Sequence, residues 1–189
     1  MKRFVLPLLL LSMPAMAADA PEWKIDTKAS SIGFAARQMN VPITGVFEVY
    51  AGTIRFDPAN LDGSRIAMEI RPASANTKQK DVDEQLKLPD WFDATKHPLA
   101  KYEAEKFVAK GGDRYEALGQ LTLRGVTREL PLPFTLKIAE AGDKLRAEAK
   151  GETELKRLDF GVGSGQWRAT DVVANEVRVT VNITAERPK

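Results

Sequence analysis

The sequence predicts an all-β protein: about eight long antiparallel strands closed as an up-and-down barrel, with one short helix at its side. Three observations predict it. Residues 120–138 hold two alternating apolar and polar runs that meet at Arg124-Gly125-Val126-Thr127, an antiparallel hairpin signal. Several alternating runs reach roughly 9 to 13 residues, longer than the strands of about 5 to 6 usual in sandwiches. Finally, residues 144–155 set Ala147, Ala149 and Gly151 on the face opposite Glu148, Lys150 and Glu152, and so small an inner face leaves room beside it.

Taken in order, Lys2 and Arg3 precede an apolar run at residues 4–11, and Ala15-Met16-Ala17 places small residues around a cleavage point. This reads as a secretory signal peptide over residues 1–17, ahead of a single domain over 18–189. The run is shorter than the roughly 20 apolar residues of a transmembrane helix, and no later segment approaches that length. Residues 23–26, 32–38 and 44–56 read as strands, with Gly45 and Gly52 as sites of bulge or bend. Residues 65–71 alternate Ile66, Met68 and Ile70 against Arg65, Glu69 and Arg71, a half-buried strand.

The pattern then changes. Residues 78–88 are polar with Val82 and Leu86 four apart, and Asp81 followed by Glu84 resembles a capping box, so one short helix is expected, stopped by Pro89. Trp91 and Phe92 follow in a turn-rich loop ending at His97-Pro98. Strands resume at 99–110, 115–124, 130–138 and 144–155, and residues 173–185 finish the series with Val177, Val179, Val181 and Ile183 on one face.

Without Lys2 and Arg3 the 28 basic residues become 26, equal to the 26 acidic ones, so the formal charge of +2 falls to about zero. A neutral domain without a Lys/Arg block gives little support to nucleic-acid binding, which rests on phosphate neutralisation, and that class is set aside. The chain has no cysteine, so an exported fold must rely on burial rather than disulfides, and thiol catalysis and cysteine-ligated metals are excluded.

Catalytic motifs fail one by one. His97 is the only histidine, and it reads as structural or exposed rather than as a metal ligand. Gly161-Val162-Gly163-Ser164-Gly165 lacks the final glycine of a dinucleotide fingerprint because position 166 is Gln, and Val162 stands where a nucleophile elbow at Ser164 needs glycine. Glu148, Glu152 and Glu154 fall on the solvent face, where a general acid gains no desolvation. No catalytic residue, metal or cofactor is assigned.

What remains is an apolar face on strand after strand. It comprises Phe34 in the second strand, Phe47, Ile54 and Phe56 in the third, Met68 and Ile70 in the fourth, and Tyr102 beyond the helix. Leu121, Leu123, Phe134 and Leu136 continue it, and Trp91 and Phe92 stand in the loop beside it. These are the candidate ligand-binding residues. Parity alone favours an ordinary filled core, since any barrel needs an apolar interior, although an eight-stranded one can just hold a small ligand.

Three segments together resemble the YceI-like family of secreted bacterial proteins. The first is WKIDTKASSIGF (23–34) with GVF (45–47) and GTIRFDP (52–58). The second is Ala75-Asn76-Thr77 with QLKLPDWFD (85–93) and His97-Pro98, in which Trp91 stands where the family's segment has its first Phe. The third is LTLRGVTRELPL (121–132) with LDFG (158–161). Residues 80–85 depart from the Arg-Asp and His that the family often carries there. The resemblance implies an eight-stranded, lipocalin-like antiparallel barrel with a helix at its side and, in some members, a long isoprenoid or other amphiphile in the lumen.

The expected function is that of a periplasmic, non-enzymatic carrier for an isoprenoid-like lipid or quinone. The alternatives are a filled barrel acting through protein contacts in a stress response and an enzyme acting on such a lipid. Homodimer formation stays open. Lys78, Lys80, Arg124, Arg128, Arg157 and Arg168 are the loop cations that a phosphorylated head group would need. With a net charge near zero and no anion-binding helix start, the expectation is instead that affinity rests on the apolar tail.

Overall fold

The computed structural model describes residues 18–189; the signal peptide expected over residues 1–17 lies outside the described residues. The strands are β1 (Glu22–Ile25), β2 (Ser31–Gln38), β3 (Val41–Phe47), β4 (Tyr50–Arg55), β5 (Arg65–Ile70), β6 (Ala75–Asn76), β7 (Ala100–Ala109), β8 (Arg114–Leu123), β9 (Val126–Ala141), β10 (Lys144–Lys156) and β11 (Glu176–Pro188), with helix α1 (Lys80–Lys87) between β6 and β7. Hydrogen-bonded order runs β1-β4-β5-β7-β8-β9-β10-β11, and β11 pairs back onto β1, so eight strands close an antiparallel barrel.

The first three walls of the barrel are each broken in two. β1 and β2 both pair with β11, at Ile25↔Ala185 and at Ile32↔Val181. Between them Asp26 bends the chain, its Oδ1 accepting the amides of Lys28 at 3.0 Å and Ala29 at 3.3 Å. β3 and β4 replace the single strand expected over 44–56: at the break, the amides of Glu48 and Val49 turn away to the carbonyl and hydroxyl oxygens of Ser74. β5 and β6 are separated by a short 3₁₀ turn carrying Pro72, which has no amide to donate. Neither Gly45 nor Gly52 is the break; a Cβ at Gly45 would meet the Phe34 ring at 2.5 Å, and one at Gly52 would meet the Met68 sulfur at 2.5 Å.

Three boundaries differ from expectation. The capping box is not formed: the residue before α1 is Gln79, with no side-chain cap, and it is Asp83 whose Oδ1 accepts from the Thr77 amide at 2.8 Å and hydroxyl at 2.7 Å. β9 extends beyond 130–138 at both ends because its tight turns hold the ladders, at Leu123↔Val126 and Ala141↔Lys144. Arg124 and Gly125 form the first of these turns with φ of 52° and 73°, the left-handed pair a two-residue hairpin requires. β11 starts and ends three residues later than expected, since it stays paired to β10 as far as Lys144↔Pro188.

The turns at 110–113 and 142–143 mark the lower end of the barrel, and α1 with the turns at 39–40 and 124–125 marks the upper end. Each end has its own packed cluster. Trp23, Phe56, Phe107 and their neighbours fill the lower one, and Leu86, Phe92, Leu123, Phe160 and Val162 the upper.

Candidate ligand-binding lumen

Between the two clusters the barrel is not filled. A cavity of about 250 Å³ runs along the axis, reached from Trp23 and Ala185 below to Trp91, Val162 and Val173 above. An engineered apolar cavity of about 150 Å³ stays dry and admits benzene, so this one is large enough to hold an apolar guest. Every candidate ligand-binding residue of the sequence lies on its wall. Phe34, Phe47, Ile54, Leu121, Phe134 and Leu136 face inward yet are only half-buried, because the lumen leaves one side of each without neighbours. Phe56, Met68, Ile70, Tyr102, Phe92 and Leu123 are buried against the end clusters or the wall, and Trp91 is half-buried at the top.

Room in the middle comes from small residues. Ala147, Ala149 and Gly151 of β10 all line the cavity, as their inward parity implied. On the opposite wall Tyr102 lies across Gly119, where a Cβ would meet the ring at 2.4 Å. Its hydroxyl donates to the Leu130 carbonyl at 3.2 Å, and burial pushes its pKa upward. The floor is aromatic: Phe56 meets Phe107, Tyr115 and Phe134 edge-on at 5.3, 5.3 and 5.7 Å, and the Trp23 indole donates to the Phe56 carbonyl at 2.9 Å.

The roof was not legible in the sequence. Arg157, which reads as an exposed loop cation, is 2% exposed and forms no salt bridge among the described residues. Its guanidinium donates to five backbone carbonyls, of Val162, Gly163, Trp167, Val173 and Ala174, at 2.7 to 2.9 Å. Burial lowers its pKa, but an arginine keeps its charge in a protein, so the bonds are charge-assisted at about 1.5 to 3 kcal/mol each. Together they offset a desolvation penalty of several kcal/mol and hold residues 157–174 as a cap.

Arg124 acts alongside it, bonding the carbonyls of Gly161 and Pro89. Asp90 completes the roof: its carbonyl accepts the amides of Gly163 and Ser164, both at 2.8 Å. The Gly161 to Gly165 segment is therefore a mouth loop pinned from three sides. Trp91 and Trp167 sit 5.5 Å apart beneath it, and neither indole nitrogen has a partner among the described residues.

Glu148, Glu152 and Glu154 are exposed on the outer face, and His97 is half-buried beside the Gly125 turn. Among the described residues no three His, Cys, Asp or Glu side chains are placed to hold a metal, and no helix is long and apolar enough to cross a membrane.

A closed eight-stranded antiparallel barrel, roofed by a helix and a clamped loop around an apolar lumen, defines the class: a lipocalin-like barrel with an internal cavity. The chain belongs to the YceI-like family, whose domain matches residues 23–185. A UPF0312 protein of Vibrio cholerae is 31% identical over 160 residues, covering 81% of this chain and 83% of the relative. The crystal structure of Burkholderia cenocepacia BcnA superposes with a TM-score of 0.78 at 31% identity, covering 86% of this chain and 99% of that one. A polyisoprenoid binding domain from Saccharophagus degradans, implicated in plant cell wall breakdown, shares the fold with a TM-score of 0.68 over 88% of this chain and 98% of that one, at 16% identity.

Proposed function

We propose that the protein is a periplasmic, non-enzymatic carrier that holds the apolar chain of an isoprenoid-like lipid or quinone in its lumen. The continuous apolar cavity along the barrel axis carries this reading. At about 250 Å³ it lies just below the roughly 300 to 1,000 Å³ of pockets for drug-sized molecules, a volume that suits a single apolar chain. Each methylene withdrawn from water contributes about 0.8 kcal/mol, so a chain binds without any catalytic constellation.

Both titratable groups on the wall are already committed to backbone carbonyls: Tyr102 donates to Leu130, and Arg157 to the cap. Neither is paired with a second titratable side chain, which supports carriage over catalysis. The polyisoprenoid binding named for the Saccharophagus domain supports the same reading through the fold. The head group rests at the upper end, where the Trp91 indole N–H is a free donor on the cavity wall.

Native mass spectrometry of protein purified from its own periplasm, followed by organic extraction, tests the proposal. A co-purifying lipid with a long apolar chain, on a polypeptide that begins at Ala18 or Asp19, is the expected result; the same spectrum reads whether two copies pair. Protein that is ligand-free, and that takes up no lipid when offered one, would overturn it.

A further inference from the structure

The wall of the barrel has a seam beside β9 that the backbone ladder does not close. β8 and β9 stay paired along their whole shared length, from Arg114↔Thr135 to Leu123↔Val126. On the other side of β9, the ladder to β10 runs from Ala141↔Lys144 only as far as Phe134↔Gly151 and then stops, although both strands continue upward. The cause is in the sequence of β9. Counting from the tight Leu123↔Val126 turn pair, alternate residues bond to β8, so the backbone groups of Pro131 and Pro133 point toward β10. Neither has an N–H to give. Continuing the β9–β10 register would set Pro133 opposite Glu152 and Pro131 opposite Glu154, the two rungs where that ladder next needs donors.

Across the seam the Thr153 hydroxyl donates to the Pro131 carbonyl at 2.9 Å. Directly behind it lies the lumen: Leu130 and Leu132 on β9, and Thr153 and Leu155 on β10, all line the cavity. Outside, Leu118 and the two prolines give the flank of the seam an exposed apolar strip. The upper mouth is the opposite case, knotted by the five carbonyl bonds of Arg157, by both bonds of Arg124 and by Asp90.

We propose that the β9–β10 seam is the entry site for the apolar chain, which passes sideways through the wall while the roof stays closed. The proposal rests on the lumen reading given above. Passage parts Leu132 from Thr153 and breaks the Thr153 hydrogen bond, and no backbone ladder has to be unzipped.

The chain has no cysteine, so a disulfide can be placed at will. Pro131→Cys with Glu154→Cys staples the seam on its outer face, and Asp90→Cys with Ser164→Cys, whose side chains already touch at 3.1 Å, staples the roof. All-trans-retinol, an isoprenoid alcohol whose fluorescence rises out of water, serves as the probe in stopped-flow loading and release. The seam staple is expected to slow both rates by about tenfold or more, with recovery on reduction, as for a blocked gating step. The roof staple is expected to leave the rates unchanged.

A second variant, Pro131→Thr with Pro133→Thr, returns both donors and needs no disulfide. It is expected to extend amide protection up β9 and to slow exchange in the same direction. Retinol bound with rates that ignore the seam staple and the restored donors, or that fall with the roof staple instead, would overturn the entry site alone. If retinol fails to bind the unmodified protein, the lumen reading falls and the entry site with it.

Discussion

Enlarging Ala149 distinguishes an open lumen from a packed core by the sign of the effect. Ala149 sits midway along β10, between Leu136 and Ile183, and faces the cavity. Ala149→Leu adds three carbon atoms on that side. Moving them from water into the lumen contributes about 0.8 kcal/mol each, against roughly 0.5 to 1 kcal/mol of lost rotamer freedom, which leaves about 1.5 kcal/mol of stabilisation. For a domain of this size that raises the melting temperature of the ligand-free protein by about 3 to 6 °C. The same leucine forced into a close-packed interior would cost about 1 to 3 kcal/mol. Differential scanning calorimetry on delipidated protein reads the shift, and retinol titration reads the companion effect, a weaker affinity because the added side chain occupies the space of the guest. A lower melting temperature with affinity unchanged would refute an open lumen at Ala149.

Tyr102 gives a pH dependence. Burial raises its folded pKa above the unfolded value of about 10, so its contribution is fully present below pH 10 and is lost as pH rises from there toward the folded pKa. Unfolding free energy should then fall above pH 10 by up to about 1.4 kcal/mol per pH unit more steeply than in Tyr102→Phe; parallel slopes in alkaline denaturant melts would refute it. Arg157→Lys keeps the charge but not the planar fork, so it should loosen the cap over 157–174 and raise hydrogen exchange there before it affects the barrel strands, and uniform exchange across both would refute the clamp. Because Arg124 and Arg157 are spent on carbonyls, retinol or quinone affinity should change little between low and high salt in equilibrium titrations; a steep salt dependence would point to a phosphorylated head instead.

Strand parity made most of the wall readable, and the reason is geometric. Once a strand is long and half-buried, a period of two assigns each side chain to a face, and the fully legible residues such as Met68, Leu121 and Phe134 owe their place to nothing else. Parity carries no information about depth. Leu130 and Leu136 share one face of β9, yet one is buried and the other only half-buried beside the lumen. Whether space exists is set by what stands opposite, and the pairing of a small β10 face with the Met68 and Tyr102 walls across the barrel is fixed only when the barrel closes.

The features that parity missed share a different cause: they depend on backbone groups, which the sequence leaves implicit. Arg157 is indistinguishable from a solvated loop cation until the chain from Val162 to Ala174 turns its carbonyls inward around it. Charge therefore marks this position without revealing that it is a fastener. Pro131 and Pro133 show the reverse logic, because there the informative fact is a missing donor. A proline pair within one long strand removes every second N–H on one edge and leaves the other edge intact, which explains why β9 stays paired to β8 along its whole shared length but releases β10 above Phe134. The two devices divide the upper half of the barrel between them: carbonyls gathered onto one cation fix the roof, and donors withheld from one ladder leave the wall beside it free to part.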